Sequence, residues 1–375
     1  MPIKKIFIVI SLVFILIGGL NFDLRGVVLR QLDLAAADDL VLDDQEATIR
    51  AIKSTIPAVV SIIVYDENEI TYIDLRTGQR TIQKQKAEKG SGTGFLISPD
   101  GLILTNKHVV NAVNDKTGEY RVILNNGKQY YAQLIGKDPL NDLAVLKIFD
   151  KDLPYVNLGD SDNLQIGTTV VAIGNALGRY QNSVTKGIIS ALGRSLVASD
   201  QAGNAEALDN VIQTDAEINF GNSGGPLVDL HGNVIGINVA IDQAGASIGF
   251  TIPINDARPV INSVKEIGRI VRASLGVRYI MITPELAQDK GLIRNSGALI
   301  INGESGEPAV LPNSPGAAAG LAAGDIIFEI NAIEVSGNNT LFSIIQKYRP
   351  GNRIGLKVQR GDKTIIKVVT LGEFK

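Results

Sequence analysis

The chain of 375 residues contains no cysteine. That excludes disulfide cross-links and thiolate metal sites, and it is compatible with an oxidising compartment without requiring one. An excess of either charge is lacking too. Lys and Arg number 36 against 39 Asp and Glu, a formal net charge of −3, so nothing electrostatic recommends a nucleic-acid partner. Histidine is scarce, with two in the whole chain, which makes any search for a general base short. Glycine is plentiful instead. The 39 glycines and 45% hydrophobic content suit a turn-rich β protein better than a helical bundle, and the length allows two or three domains.

An apolar run lies near the N-terminus. Lys4 and Lys5 precede Ile6 to Leu20, interrupted by Ser11, Gly18 and Gly19. Extended through Phe22, it reaches the lower end of the roughly 17–25 residues that span a bilayer. The nearby Ala35-Ala36-Ala37 lies too far downstream for the usual signal-peptide cleavage region. Residues 1–22 are therefore read as an anchor in preference to a cleaved signal sequence. The lysines keep its N-terminus in the cytoplasm, and the bulk of the chain lies outside. Residues 23–46, with Asp38, Asp39, Asp43 and Asp44, form an acidic linker into a short helix predicted near 45–54.

From Ala58 the pattern changes to short β runs separated by turn signals such as Asn125-Asn126-Gly127. Runs are predicted at 58–65, 94–98, 120–124, 130–135 and 143–148, then at 169–173, 184–192, 227–229, 234–239 and 249–253. The polar segments 66–89 and 195–207 carry few strand signals and are expected to be rim loops. Residues 255–270 predict a linking helix with Val260, Ile261, Val264 and Ile267 on one apolar stripe. A second domain starts at Arg272.

Gly221-Asn222-Ser223-Gly224-Gly225-Pro226 has the composition of an activated-serine loop. A serine hydroxyl needs a base, an acid to orient that base, and backbone donors for the oxyanion. Glycines let the backbone turn sharply, so that the amides of Gly221 and Ser223 can share one hollow, with Asn222 shaping the loop. Of the two histidines, His231 falls in a polar hairpin turn, Asp229 to Asn233. His108 follows an apolar strand-like run and is the candidate base. Asp142, at the edge of the apolar Leu143 to Leu146, fits the orienting acid, with Asp138, Asp160 and Asp215 as competitors. The order His108, Asp142, Ser223 is that of chymotrypsin-like proteases, not of subtilisins or α/β-hydrolases.

These segments, together with Gly90 to Phe95, Gly187 to Arg194, Gln213 to Ala216 and Gly249 to Pro253, resemble the HtrA/Deg serine proteases. The likeness runs from about residue 47 to the end. It implies a mainly β fold: a chymotrypsin-like double six-stranded β-barrel over 47–262, followed by a smaller α+β PDZ domain over 272–375. It implies an extracytoplasmic serine endoprotease, on the periplasmic or cell-surface side, that cleaves unfolded, misfolded or regulatory proteins with no metal or organic cofactor. By resemblance Ile218, Ala240 and Ile241 line S1 and favour small aliphatic P1 residues. Leu275, Gly276 and Val277 take the C-terminal carboxylate of a peptide added by β-augmentation, which tethers substrates or activates the protease. A homotrimer is implied as well, and one PDZ domain plus an anchor matches a DegS-like layout, with DegQ- or DegP-like quality control the other possibility.

The chain departs from the family pattern at Glu217, where a small residue is usual, at Phe220, where proline is usual, and across Gly174 to Arg179. Glu217 lies six residues before Ser223, the spacing of the pocket acid in trypsin-like enzymes, so basic P1 residues are a second expectation beside a solvated glutamate. Phe220 lacks the restriction that proline would impose, which allows a resting loop of inactive shape. The reading from another class is a catalytically latent chaperone or peptide-binding scaffold.

Overall fold

The computed structural model describes residues 43–374, apart from 114–116, 177–179, 200–204, 220, 240–247 and 338. The anchor segment 1–22 lies outside the described residues. Among those described, no helix is long and apolar enough to cross a membrane. The predicted short helix is present as α1, over 43–55.

Six strands close a first barrel: β1 (Val59–Ile73), β2 (Arg80–Leu96), β3 (Leu102–Thr105), β4 (Glu119–Leu124), β5 (Gln129–Lys137) and β6 (Ala144–Lys147), in the order β1-β2-β3-β6-β5-β4. Val60, Ile62, Val64, Phe95, Ile103, Val122 and Val145 fill it. The predicted runs overlap five of these strands, with 58–65, 94–98 and 143–148 overrunning the strand ends by one or two residues, but β3 was not foreseen. Its Leu-Ile-Leu-Thr is buried throughout, so it lacks the alternation that marks a half-buried strand.

The expectation of loops at 66–89 and 195–207 is corrected. The first segment is an antiparallel hairpin, with β1 and β2 paired from Val59↔Phe95 out to Ile73↔Arg80. Its backbone groups are satisfied across the hairpin, so it needs no buried face, and Tyr72, Ile73 and Ile82 stay exposed. Strands also enter the second segment, where Ala205 pairs with Ser199 and Leu208 with Leu196.

The second barrel contains β7 (Asn157–Leu158), β8 (Thr169–Ala176), β9 (Tyr180–Ser199), β10 (Ala205–Thr214), β11 (Pro226–Val228), β12 (Asn233–Val239) and β13 (Gly249–Pro253). The sheet order is β11-β8-β9-β10-β13-β12-β7, and the additional β11–β12 pairing closes six of these strands into a ring. β7 adds to β12 in parallel. Val170, Ala172, Ile189, Ile212, Leu227 and Ile235 form a core within it.

After the single-turn α2 (Lys107–Val110), the linking helix is α3 (Ile254–Ile267), closed by Gly268 in the left-handed region at φ 74°. Val260, Ile261 and Val264 are buried as predicted, whereas Ile267, on the last turn, is exposed. The C-terminal part is a mixed domain. β14 (Ala273–Ser274) pairs with the closing strand Gly372–Glu373. Its main sheet runs Tyr279–Met281, Ala298–Ile300, Ile326–Ile330, Arg353–Arg360, Lys363–Thr370, with Ile333–Glu334 beside the third strand. Helices α4 (Pro284–Lys290), α5 (Pro315–Ala318) and α6 (Leu341–Gln346) each start on a capping hydroxyl, from Thr283, Ser314 and Thr340.

A buried ion pair ties this part to the first barrel. Arg272, 1% exposed, holds Asp138, 0% exposed, through Nε at 3.0 and 3.1 Å and through a further bond from its terminal nitrogen. The same terminal nitrogen donates to the Asp256 carbonyl at 3.1 Å. Arg269–Glu373 and Arg349–Glu266 are exposed pairs that join the C-terminal part to the end of α3 and the turn after it, Lys347–Asp162 is an exposed pair to the loop between β7 and β8, and each contributes little.

Burial pushes the Asp256 carboxyl up to about 6, against the lowering effects of Asn210, which donates to it at 3.1 Å, and of Arg272. A carboxyl whose folded pKa lies above its unfolded value of about 4 contributes stability that is complete below pH ~4 and lost as pH rises through ~6. The unfolding free energy of the parent should therefore fall between pH 4 and 7 by up to about 3 kcal/mol more than that of Asp256→Asn. Urea unfolding at both pH values measures it, and parallel slopes would refute it.

Candidate active site

The register of β3 on β6 brings the first two candidate residues together. Thr105 pairs with Ala144, so the chain leaving β3 and the chain entering β6 meet at one end of the barrel. His108 sits there in the single-turn α2 (Lys107–Val110). Its ring Nδ1 lies 2.6 Å from Asp142 Oδ2, and its backbone N–H donates to Asp142 Oδ1 at 2.8 Å. Both carboxylate oxygens thus hold one histidine, and Asn106 Nδ2 donates to the Asp142 carbonyl at 2.9 Å to fix the other side of the loop. The Asp142 side chain is 5% exposed and the His108 side chain 24%. The carboxylate is shielded while the imidazole stays partly open.

Ser223 comes from the second barrel, in the loop before β11. Its Oγ is 2.8 Å from His108 Nε2. With Nδ1–H donated to Asp142, Nε2 is the acceptor for the serine proton, the tautomer that general-base chemistry needs. Asn106 Oδ1 offers the same hydroxyl a second acceptor at 3.3 Å.

Two threonines of the first barrel clamp that loop to His108. Thr93 N–H donates to the Ser223 carbonyl at 3.0 Å, and Thr93 Oγ1 donates to the Gly221 carbonyl at 3.0 Å. Thr105 Oγ1 in turn donates to the Thr93 carbonyl at 2.7 Å. Gly224, at φ +82°, lies against Thr93 and Thr105, and a Cβ there would overlap the Thr93 carbonyl. From the second barrel, Asn238 closes the loop through Gly224 N–H to its carbonyl and its own N–H to the Gly225 carbonyl, each at 2.9 Å. Sequence reasoning did not single out Thr93, Thr105, Asn106 or Asn238. The first three were visible only as polar residues bordering the motif glycines and His108.

The competing carboxylates have other partners. Asp138 pairs with Arg272, Asp160 accepts from the backbone of Asp162, and Asp215 Oδ1 accepts from the Ile188 N–H. The His231 side chain is 87% exposed in the turn closed by Asp229, as expected.

The amides of Gly221 and Ser223 do not face an open hollow. Gly221 N–H donates to Asn219 Oδ1 at 2.8 Å, and Ser223 N–H to the Asn219 carbonyl at 3.1 Å. Asn222 braces the same turn, with Oδ1 accepting from Asn219 N–H and Nδ2 donating to the Glu217 carbonyl, both at 2.9 Å. Glu217 itself is exposed, and Ile218 is half-buried against the second core and Gly249. Ala240, Ile241 and Phe220 lie outside the described residues, as do Leu177, Gly178 and Arg179.

In the C-terminal domain, Val277 bridges Val310 in antiparallel fashion. Arg278 N–H donates to the Ala309 carbonyl at 2.7 Å and Leu311 N–H to the Gly276 carbonyl at 2.9 Å. In a bridge of that type the N–H and C=O of Val277 point away from Val310, to the other edge of the segment. Gly276, at φ +74°, turns the chain against Ser314, and Leu275 is buried. Among the described residues, no group of His, Asp and Glu is arranged to hold a metal ion.

Two barrels that share a Ser–His–Asp hydrogen-bond chain, followed by an αβ peptide-domain fold, define the class: a trypsin-like peptidase with a PDZ domain. A trypsin-like peptidase domain model matches residues 92–237, and a PDZ domain model matches residues 273–370. The chain is 41% identical over 297 residues to a "Probable periplasmic serine endoprotease DegP-like" of Marinomonas sp. (strain MWYL1), covering 78% of this chain and 59% of that protein. A protein of the same name from Chlamydia pneumoniae is 41% identical over 292 residues, 77% of this chain and 56% of its own length. The chain thus spans less than two thirds of these relatives. Among solved structures, the HtrA-type protease AlgW with decapeptide is 35% identical, with a TM-score of 0.66 over 87% of this chain and 98% of that one. A serine endoprotease from Yersinia pestis is 30% identical, with a TM-score of 0.56 over 88% and 98%. The chain belongs to the HtrA-type family of serine proteases.

Proposed function

We propose that this chain is a serine endopeptidase that cuts unfolded or misfolded proteins, with His108, Asp142 and Ser223 as its triad. The observation that carries the reading is the unbroken chain from Asp142 Oδ2 through the His108 ring to Ser223 Oγ, at 2.6 and 2.8 Å. Ser223 Oγ attacks the peptide carbonyl as His108 Nε2 takes its proton. The imidazolium, stabilised by Asp142, then passes that proton to the leaving amine. The amides of Gly221 and Ser223 bind the oxyanion, with Asn222 bracing their turn. Water repeats the cycle on the acyl-enzyme.

By the family likeness Ile218, Ala240 and Ile241 line S1, and their apolar side chains suit small aliphatic P1 residues. The exposed Glu217 would admit basic ones if it reached the pocket. A P1 peptide library should show cleavage after Val, Ala or Leu and little after Arg or Lys. The reverse preference would assign Glu217 to the pocket.

The PDZ domain takes the C-terminus of an extended peptide along Leu275, Gly276 and Val277, where the outward backbone edge of Val277 supports strand addition. Peptide binding there reaches the protease through the linker, whose Arg272 holds the loop that leads to Asp142. A periplasmic location, an N-terminal anchor and a trimer complete the reading, on the strength of the relatives' names, the apolar run near the N-terminus and the family likeness.

The test is hydrolysis of casein by the full chain beside Ser223→Ala. Cleavage that disappears in the variant establishes the endopeptidase. Binding of unfolded protein without cleavage by either would mean a latent enzyme awaiting a PDZ ligand or a peptide-binding scaffold.

A further inference from the structure

Among the described residues the strand Tyr279–Met281 is an edge of the C-terminal sheet, paired on one side to Ala298–Ile300. Arg278 leads into it. Its carbonyl accepts from the Ile301 N–H at 3.1 Å, and Ile282 N–H donates to the Gly297 carbonyl at 2.8 Å. Arg278, Ile280 and Ile282 therefore bond inward, and the backbone groups of Val277 and Tyr279 point to the open edge. Side chains alternate as well. Tyr279 faces α6, where its hydroxyl accepts from the Phe342 N–H at 3.1 Å, so Arg278 lies on the opposite face.

Register sets what that face meets. A C-terminal peptide held by its carboxylate at Leu275 to Val277, and running antiparallel along the edge, places its last residue beside Val277. Its penultimate residue then stands opposite Arg278, in the non-hydrogen-bonded type of pair that brings side chains closest. Arg278 also lines a cavity of about 420 Å³ with Ile301, Asn302, Gly303 and Glu304. The residue is half-buried, and Nη1 donates to the Pro308 carbonyl at 3.0 Å. Among the described residues no carboxylate pairs with this guanidinium, which leaves Nε and Nη2 as a fork for an incoming one. Glu304, the other charge on the cavity, is exposed and forms no ion pair with it.

We infer that Arg278 reads the penultimate residue of the bound peptide, so that the domain selects C-termini with an acidic residue there, glutamate above all. This rests on the PDZ reading above. The Pro308 bond draws the guanidinium away from the open edge, so glutamate reaches it better than aspartate. The peptide residue two positions further back meets the apolar Ile280, which confines charge selection to one position.

The experiment is fluorescence anisotropy with short labelled peptides ending in Val, differing only in a penultimate Glu, Gln or Lys. The protein is the full chain carrying Ser223→Ala, so that no peptide is cut. Glu should bind about fivefold to tenfold more tightly than Gln, the scale of one partly shielded charge-assisted pair, and Lys more weakly than Gln. An amidated C-terminus should abolish binding. In Arg278→Gln the three affinities should converge, and in Arg278→Glu the order should reverse, with folding checked by thermal melting.

Carboxylate-dependent binding with equal affinity for Glu, Gln and Lys overturns the inference and leaves the PDZ reading standing. So does a preference for Lys, which would make Glu304 the reader, or a preference for Glu that survives in a folded Arg278→Gln. Absence of carboxylate-dependent binding by any peptide sinks both. If the Arg278 variants fail to fold, salt decides: the Glu-to-Gln ratio should shrink between about 50 and 500 mM NaCl, and a constant ratio overturns the inference.

Discussion

His108→Ala should abolish casein hydrolysis, lowering kcat about 10⁶-fold, and Ser223→Ala should do the same. The double variant should lose no more than either single one, because the two residues move one proton between them and have no separable contributions. Asp142→Asn should cost less, about 10⁴-fold, since it leaves the base present but in the wrong tautomer. The geometry sets that ranking. Asp142 receives the ring Nδ1–H at 2.6 Å and the backbone N–H of His108 at 2.8 Å, so an asparagine can offer its one carbonyl oxygen to only one of the two donors and must set its NH₂ against the other. A full kinetic comparison of the four variants checks the series. Additive losses in the double variant would mean that His108 and Ser223 act in separate steps.

Arg272→Met should be the most destabilising single substitution outside the cores, at about 3–5 kcal/mol. The cost lies in the partner left behind. Asp138 is fully buried, and without the guanidinium its carboxylate must either stay charged in a dry site or take up a proton. Pairing the change with Asp138→Leu should recover most of the loss, because burying two apolar groups costs far less than burying one unpaired charge. Urea unfolding of the two single variants and the double measures the coupling, and equal losses in all three would show that the pair contributes nothing specific. The loop bears on the site as well. Lys107 Nζ, next to His108, donates to the Asp138 carbonyl at 3.1 Å, and Asp138 N–H donates to the Leu143 carbonyl at 2.8 Å, one residue beyond Asp142.

Much of the site was legible because its chemistry depends on rare residues in a fixed order. With two histidines in the chain, one of them in a polar turn, His108 was nearly isolated by elimination, and the glycines around Ser223 marked a backbone under tight conformational demand. The clamp was not legible. Thr93 reaches Gly221 across 128 positions, and Arg272 reaches Asp138 across 134. No local pattern encodes a partner at that range, and Asp138 could be read only as one carboxylate among several near Asp142. The hairpin over 66–89 was missed for a different reason. Strand prediction looks for a buried alternating face, and this pair of strands is held by its own ladder in solvent.

By itself the sequence determined the β character, the family likeness and the identity of three candidate catalytic side chains. Those follow from composition, alternation and motif order, which are properties of neighbours along the chain. The tertiary structure alone decided that β3 and β6 bring His108 to Asp142, that Thr93 and Thr105 tie the Gly221–Ser223 loop to the first barrel, and that Asn219 accepts from the amides of Gly221 and Ser223. Hydrogen bonds are angular and short, so which donor meets which acceptor is settled only when distant strands have fixed their register.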